Sequence, residues 1–152
     1  MARMSVNGTK QLSAMLESLG KDSQEIGKRA LYDGAKVVAD ALRAKVEALE
    51  VDNEYAWPGN PREGIRDYEK DGLAAGLGVA DHRVGGKIDT SIGFHGYNAK
   101  GKPNALIARS VERGTSFLKP TPIVQPAVAA SRGAARAAMI KTAEEEINKR
   151  VK

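Results

Sequence analysis

The chain has 152 residues, of which 41% are hydrophobic and 5% aromatic, and it contains no cysteine. This length suits one hydrophobic core, so we expect a single domain over residues 1–152, and the lack of cysteine excludes disulfide and thiolate chemistry. The net charge of +5 permits a polyanionic partner. Because no apolar run approaches about 18 residues, we expect no membrane contact and synthesis in the cytoplasm.

Two helices are predicted before residue 50. Apolar residues at helical spacing from Leu12 to Leu19 predict a short first helix that ends at Gly20. A longer helix over about 22–49 follows, because apolar residues recur there at steps of three and four. These residues are Leu31, Ala35, Val38, Leu42, Val46 and Leu49. Gly34 inside this helix permits either a bend or close packing.

Residues 51–72 are dense in turn formers and charges. A segment of this length without regular structure is usually functional or disordered, so we predict an extended loop or arm that makes contacts. The ring of Trp57, the only tryptophan, has two alternative positions. It either lies buried beneath the loop or inserts into a neighbouring subunit, since tryptophan is enriched at interfaces. Tyr55 and Trp57 are therefore candidate contact residues.

The segment after Leu73 predicts β-structure. Residues 77–84 and 87–94 suggest two strands joined by a turn at Gly85-Gly86, and the second strand alternates apolar and polar residues. A basic tip with Lys100 and Lys102 follows, and residues 105–111 form either a third strand or a short helix entering one. We therefore predict an α+β fold, in which an antiparallel meander of three to four strands packs against the long N-terminal-half helix and an Ala-rich C-terminal helix.

Fragments of catalytic motifs occur, and each lacks a required part. Residues 96–102 match G-x-x-x-x-G-K, but Pro103 stands where a P-loop needs Ser or Thr to hold Mg²⁺. His82 and His95 lack the spacing of metal ligands, and no nucleophile elbow accompanies Asp81. We therefore predict no catalytic residue, no metal, no cofactor and no enzymatic activity.

The segment that begins at Val111 contains the most specific pattern. Glu112, Gly114, Thr115 and Ser116 are followed by Pro122-Ile123-Val124-Gln125-Pro126-Ala127 and then by the Ala-rich helix. We expect residues 111–113 to end a strand and Pro126 to fix the start of the helix. The arrangement resembles the tail-completion or neck family of long-tailed bacteriophages, which includes head-tail joining and minor tail proteins. Ile123 stands where that family usually has an aromatic residue.

The resemblance implies a non-enzymatic virion structural protein at the head-tail junction. Such a protein forms a homo-oligomeric ring, for example a hexamer, between the tail tube or tail terminator protein and the head-closure or connector protein. It lies close to the packaged DNA. On this interpretation Tyr55 and Trp57 make lateral contacts, while Lys100 and Lys102 face a partner or the DNA channel.

A small basic nucleic-acid-binding protein that acts through phosphate contacts is the alternative. Acidic residues are interspersed with the basic ones, and the sequence shows no clustered aromatic platform for bases. Arg132 and Arg136, four residues apart on the last helix, face either solvent or an acidic neighbouring subunit. With so few aromatic residues in the chain, we also expect neighbouring subunits to supply part of the stability.

Overall fold

The computed structural model describes residues 9–80, 83–84 and 88–151, and four helices make up most of this part of the chain. The helices are α1 (Thr9–Glu47), α2 (Asp67–Gly76), α3 (Asn104–Arg113) and α4 (Val124–Val151). Short strands between α2 and α3 are β1 (Leu77–Val79), β2 (Arg83–Val84), β3 (Ile88–Asp89) and β4 (Ile92–Phe94). β1 pairs antiparallel with β4, and β2 pairs antiparallel with β3.

The predicted α+β fold class is wrong. The described chain is mostly helical, and its strands pair only two by two, so the meander of three to four strands does not form. The first two predicted strands correspond to the β1–β4 and β2–β3 pairings. The predicted turn at Gly85-Gly86 lies outside the described residues, as do Asp81 and His82.

Residues 105–111, predicted as either a third strand or a short helix, lie in the helix α3. Its buried positions are Asn104, Ile107, Ala108 and Val111, which recur at steps of three and four as one face of a helix requires. The segment ending at Arg113 is therefore the last turn of a helix, and the predicted strand end is wrong. Gly114, with φ of 75°, ends α3 in a backbone conformation that favours glycine.

α1 is one continuous helix of 39 residues, about 58 Å long at 1.5 Å per residue. Gly20 does not end it, and the two predicted helices are one. Of the predicted apolar stripe, Ala35, Leu42, Val46 and Leu49 are buried. Among the described residues, no helix is both long and apolar enough to cross a membrane.

α4 packs antiparallel along α1. Arg150 near the end of α4 donates a hydrogen bond to Asp22 (2.8 Å), and Thr142 donates to Asp33 further along α1 (2.6 Å). A methyl group at Gly34 would overlap the side chain of Met139. Glycine at this position therefore allows the two helices to approach closely, and α1 does not bend there into two segments.

The hydrophobic core lies where the last turns of α1 meet α2, α3 and the start of α4. The most buried large side chains are Ile65, Leu73, Ile123, Val46 and Val111. The predicted arm at 51–72 folds back onto this core as far as residue 66, and α2 occupies the rest of it. The Ile65 N–H donates to the carbonyl of Glu50, which lies just after the end of α1 (3.0 Å).

Candidate functional site

A tight turn presents the two aromatic residues that the sequence singled out. The Asn60 N–H donates to the Trp57 carbonyl (2.9 Å), and Gly59 has φ of 100°, as a turn with Pro58 in its second position requires. The Tyr55 and Trp57 rings stack with their centroids 6.1 Å apart. Tyr55 is 80% exposed and Trp57 is 49% exposed. This exposure favours the alternative in which Trp57 meets a neighbour.

A second turn holds another exposed ring beside the first. The Thr115 N–H donates to the Leu118 carbonyl (2.8 Å), which places Phe117 at the tip of the turn with about half of its surface in solvent. The Arg62 N–H donates to the Phe117 carbonyl, and the Lys119 N–H donates to the Arg62 carbonyl, both at 2.9 Å. These bonds join the two segments into one backbone frame, which fixes the relative positions of their side chains.

The predicted basic tip lies next to this frame. The buried Asn98 side chain accepts hydrogen bonds through Oδ1 from the backbone N–H groups of Lys100 (3.0 Å) and Lys102 (3.1 Å). The Lys100 ammonium lies 5.8 Å from the centre of the Tyr68 ring on α2. Lys100 and Lys102 are therefore placed beside the aromatic residues, although nothing in the sequence indicated this proximity.

The same contacts explain why residues 96–102 do not form a phosphate-binding loop. The N–H groups of Lys100 and Lys102 already donate to Asn98, and the Gly101 N–H donates to the Asn98 carbonyl (2.9 Å). A P-loop needs such N–H groups free to surround a phosphate. Pro103 occupies the position at which a P-loop has its Mg²⁺ ligand, and α3 begins at the next residue.

These segments enclose a groove of about 500 Å³ between the loop 55–66, α2, α3 and the Thr115–Leu118 turn. We call it the aromatic groove, and its principal residues are Tyr55, Arg62, Tyr68, Lys102, Leu106 and Phe117. Apolar and aromatic side chains that remain exposed beside arginine are typical of protein contact sites. The sequence indicated Tyr55 and Lys102 as contact residues but not the other four.

The charge of the groove is unbalanced. Among the described residues that line it, Glu69 is the only acid, and this buried carboxylate accepts the Arg66 N–H at the start of α2 (3.0 Å). Arg66 itself donates through Nη1 to the Asn53 carbonyl (2.7 Å). Arg62 has no such partner, because its Nε and Nη1 atoms are buried without an acceptor within the described part of the chain. The groove therefore suits a partner that brings a carboxylate.

Arg132 and Arg136 lie elsewhere. Both are exposed on α4, neither lines the aromatic groove, and neither takes part in the ion pairs found among the described residues. Their exposure is compatible with both predicted alternatives, a position in solvent and contact with an acidic neighbouring subunit.

Glu112 has a role that sequence reasoning did not assign. Its carboxylate accepts the N–H groups of Ile123 (2.7 Å), Val124 (2.9 Å) and Gln125 (3.2 Å) at the start of α4. Partial burial by itself raises the pKa of Glu112, but the three backbone hydrogen bonds outweigh it and leave the pKa below its ordinary value. Glu112 thus ties the end of α3 to the N-terminus of α4, where the helix dipole favours a negative charge.

No protein-family model, curated protein or solved structure matches this chain. Within the described residues, no three acidic or histidine side chains converge to hold a metal ion. The aromatic groove and the Tyr55–Trp57 pair contain the predicted contact residues Tyr55, Trp57 and Lys102.

Proposed function

We propose that this protein is a non-enzymatic virion structural protein of a long-tailed bacteriophage, which completes the tail and joins it to the head as a subunit of a ring. The observation that supports this proposal best is the exposed Tyr55–Trp57 pair beside the aromatic groove. Aromatic rings that are about half exposed or more on a fixed backbone frame are unfavourable in isolation and favourable at an interface.

The residues behind the family resemblance also gain a physical role. Glu112 binds the N-terminus of α4, Gly114 ends α3, and Thr115 closes the turn that presents Phe117. Together they place one wall of the aromatic groove at a fixed angle to α4. In the proposed ring this geometry sets the direction of the lateral contact, while other faces meet the tail tube or terminator and the head-closure or connector protein.

The test is a Trp57→Ala substitution in the phage that encodes the protein, followed by electron microscopy of lysates. We expect full heads beside unattached or over-length tails, because the lateral contact loses its largest ring. The control is Tyr32→Ala, which removes an exposed aromatic residue on α1 outside the groove. Normal, joined virions with Trp57→Ala would contradict the proposed contact.

One observation favours the alternative of nucleic-acid binding. Tyr55, Tyr68 and Phe117 line one groove with Lys102, Trp57 stacks on Tyr55, and Lys100 lies near the Tyr68 ring, a cluster that the sequence alone did not reveal. Single strands bind such surfaces by stacking and phosphate contacts. Against it, the acids Asp52, Glu54 and Glu63 share the same loop. A labelled oligonucleotide whose affinity falls steeply with salt, and is lost in Lys100→Glu/Lys102→Glu, would establish this alternative.

A further inference from the structure

A second exposed apolar surface lies on α4, on the side away from α1. Ile140, Ile147 and Val151 are all exposed, Ile140 to 52%, although they are large aliphatic residues. They are separated by seven and four residues, so they share one side of the helix, with Glu144 between them. We call these four residues the outer stripe. Glu144 takes part in none of the ion pairs among the described residues.

We infer that the outer stripe of one copy binds in the aromatic groove of the next copy. The two surfaces are complementary in chemistry. The stripe is aliphatic with one carboxylate that has no described partner. The groove is aromatic and aliphatic with an excess of cationic side chains, among them Arg62, whose Nε and Nη1 atoms have no acceptor among the described residues. An amphipathic helix in an apolar groove, anchored by residues at i, i+4 and i+7, is a common recognition mode. Arginine and carboxylate add directional hydrogen bonds to it.

The positions of the two surfaces require that the contact joins different copies. The part of α4 that carries the outer stripe packs at the level of residues 22–34 of α1, as the Arg150–Asp22 and Thr142–Asp33 hydrogen bonds and the contact of Met139 with Gly34 show. The groove lies beyond the other end of α1, where the Ile65 N–H donates to the Glu50 carbonyl. From residue 34 to the end of α1 at Glu47 there are 13 residues, or about 20 Å, between these two regions. A stripe therefore cannot reach the groove of its own chain.

This contact is head to tail, since two different surfaces meet: in a pair, one copy keeps its groove free and the other keeps its outer stripe free. Such contacts generate a ring when the rotation closes and a filament when it does not. The inference thus deepens the proposed function by naming the lateral contact of the ring. It rests on that function only for the closure into a virion ring, because the contact itself can be measured on the purified chain.

Arg62 also distinguishes a binding role from a structural one. The buried Nε and Nη1 atoms of Arg62, without an acceptor among the described residues, cost the free subunit stability, so Arg62→Met should leave the melting temperature of the monomer unchanged or higher. The same substitution should weaken association, because the incoming carboxylate loses its donor. If Arg62→Met lowered the stability of the free chain and left association intact, Arg62 would be structural and the inference would fail.

A charge exchange tests the pairing on the full-length chain by light scattering after size-exclusion chromatography. We expect the wild type to associate, and Glu144→Arg or Arg62→Glu alone to weaken association by about thirtyfold or more. The double variant Glu144→Arg/Arg62→Glu should recover it. The control Glu145→Arg introduces the same charge change at an exposed position next to the stripe and should associate like the wild type. A wild type that stays monomeric at all concentrations, or a double variant without recovery, would overturn the inference.

Because the chain contains no cysteine, crosslinking gives an independent test. Ile147→Cys and Leu106→Cys, mixed and oxidised, should form a disulfide-linked dimer, whereas each variant alone should not. Self-crosslinking of Ile147→Cys would show that two stripes pair with each other and would refute the contact. If no crosslink forms but Trp57→Ala virions are defective, only the contact between stripe and groove is refuted. If the crosslink forms but Trp57→Ala virions are normal, only the role in the virion is refuted.

Discussion

At the scale of single residues, Glu112 has the most testable role, because three N–H groups at the start of α4 depend on its carboxylate. We expect Glu112→Gln to lower the free energy of unfolding by about 1 kcal/mol at pH 7, as the loss of a helix cap does. The pKa of Glu112 in the folded protein lies below its ordinary value of 4.5. Its contribution is therefore complete above that value and is lost as the pH falls through the folded pKa.

Urea unfolding at pH 7 and pH 3 checks this prediction. The difference between wild type and Glu112→Gln should shrink at the lower pH, because pH 3 lies below the ordinary value of 4.5, where the unfolded chain binds a proton at Glu112 and part of the stabilisation is lost. Glu47→Gln is the control, since Glu47 is exposed at the end of α1. A difference that is the same at both pH values would show that the Glu112 charge does not hold α4.

The candidate site could be predicted from sequence only where residue type alone was informative. A single tryptophan beside a tyrosine, in a loop rich in turn formers, was enough to indicate Tyr55 and Trp57 as contact residues. Arg62 gave no such signal, because its importance depends on a missing acceptor and on its backbone contact with Phe117, far along the chain. Long-range proximity of this kind leaves no local pattern.

At the scale of elements, the buried Glu146 holds α4 against α1. Its carboxylate accepts hydrogen bonds from Arg150 (2.7 Å), Lys149 (3.1 Å) and, across the helix pair, Arg29 (2.9 Å). These donors, Arg150 first, lower the pKa of Glu146 to about 2. Because the folded pKa is depressed, the stabilisation is complete above the ordinary value of 4.5 and is lost as the pH falls toward 2.

Thermal unfolding followed by circular dichroism from pH 7 to pH 2 tests this account. Glu146→Gln should lower the melting temperature at pH 7, and its melting temperature should then fall less than that of the wild type in the acid range. Glu145→Gln, an exposed neighbour, should behave as the wild type does. Equal acid sensitivity of wild type and Glu146→Gln would locate the pH dependence in other carboxylates.

The elements differed in how well their sequences predicted them. Regular steps of three and four over many residues were enough to predict most of α1, but Gly20 suggested an end that neighbouring helical residues override. For α3 the sequence left a strand and a short helix open, because its β-branched Ile107 and Val111 favour strands while their spacing of four is helical. α2 was missed because Gly72 and Gly76 weaken the helical signal over only ten residues.

At the scale of the whole molecule, the core lies at one end of the α1–α4 helix pair, and the aromatic groove and the outer stripe stay exposed outside it. A chain with 5% aromatic residues also has few large anchors, which is why neighbouring subunits are expected to supply stability. If the outer stripe binds the aromatic groove, association and folding are coupled, since a partner that binds only the folded chain stabilises it.

The melting temperature of the wild type should then rise with protein concentration, and that of Glu144→Arg should not. Differential scanning calorimetry over a hundredfold range of concentration measures both. A high and constant melting temperature for the wild type would mean that the core and the α1–α4 pair suffice, and that the exposed surfaces serve partners other than a second copy.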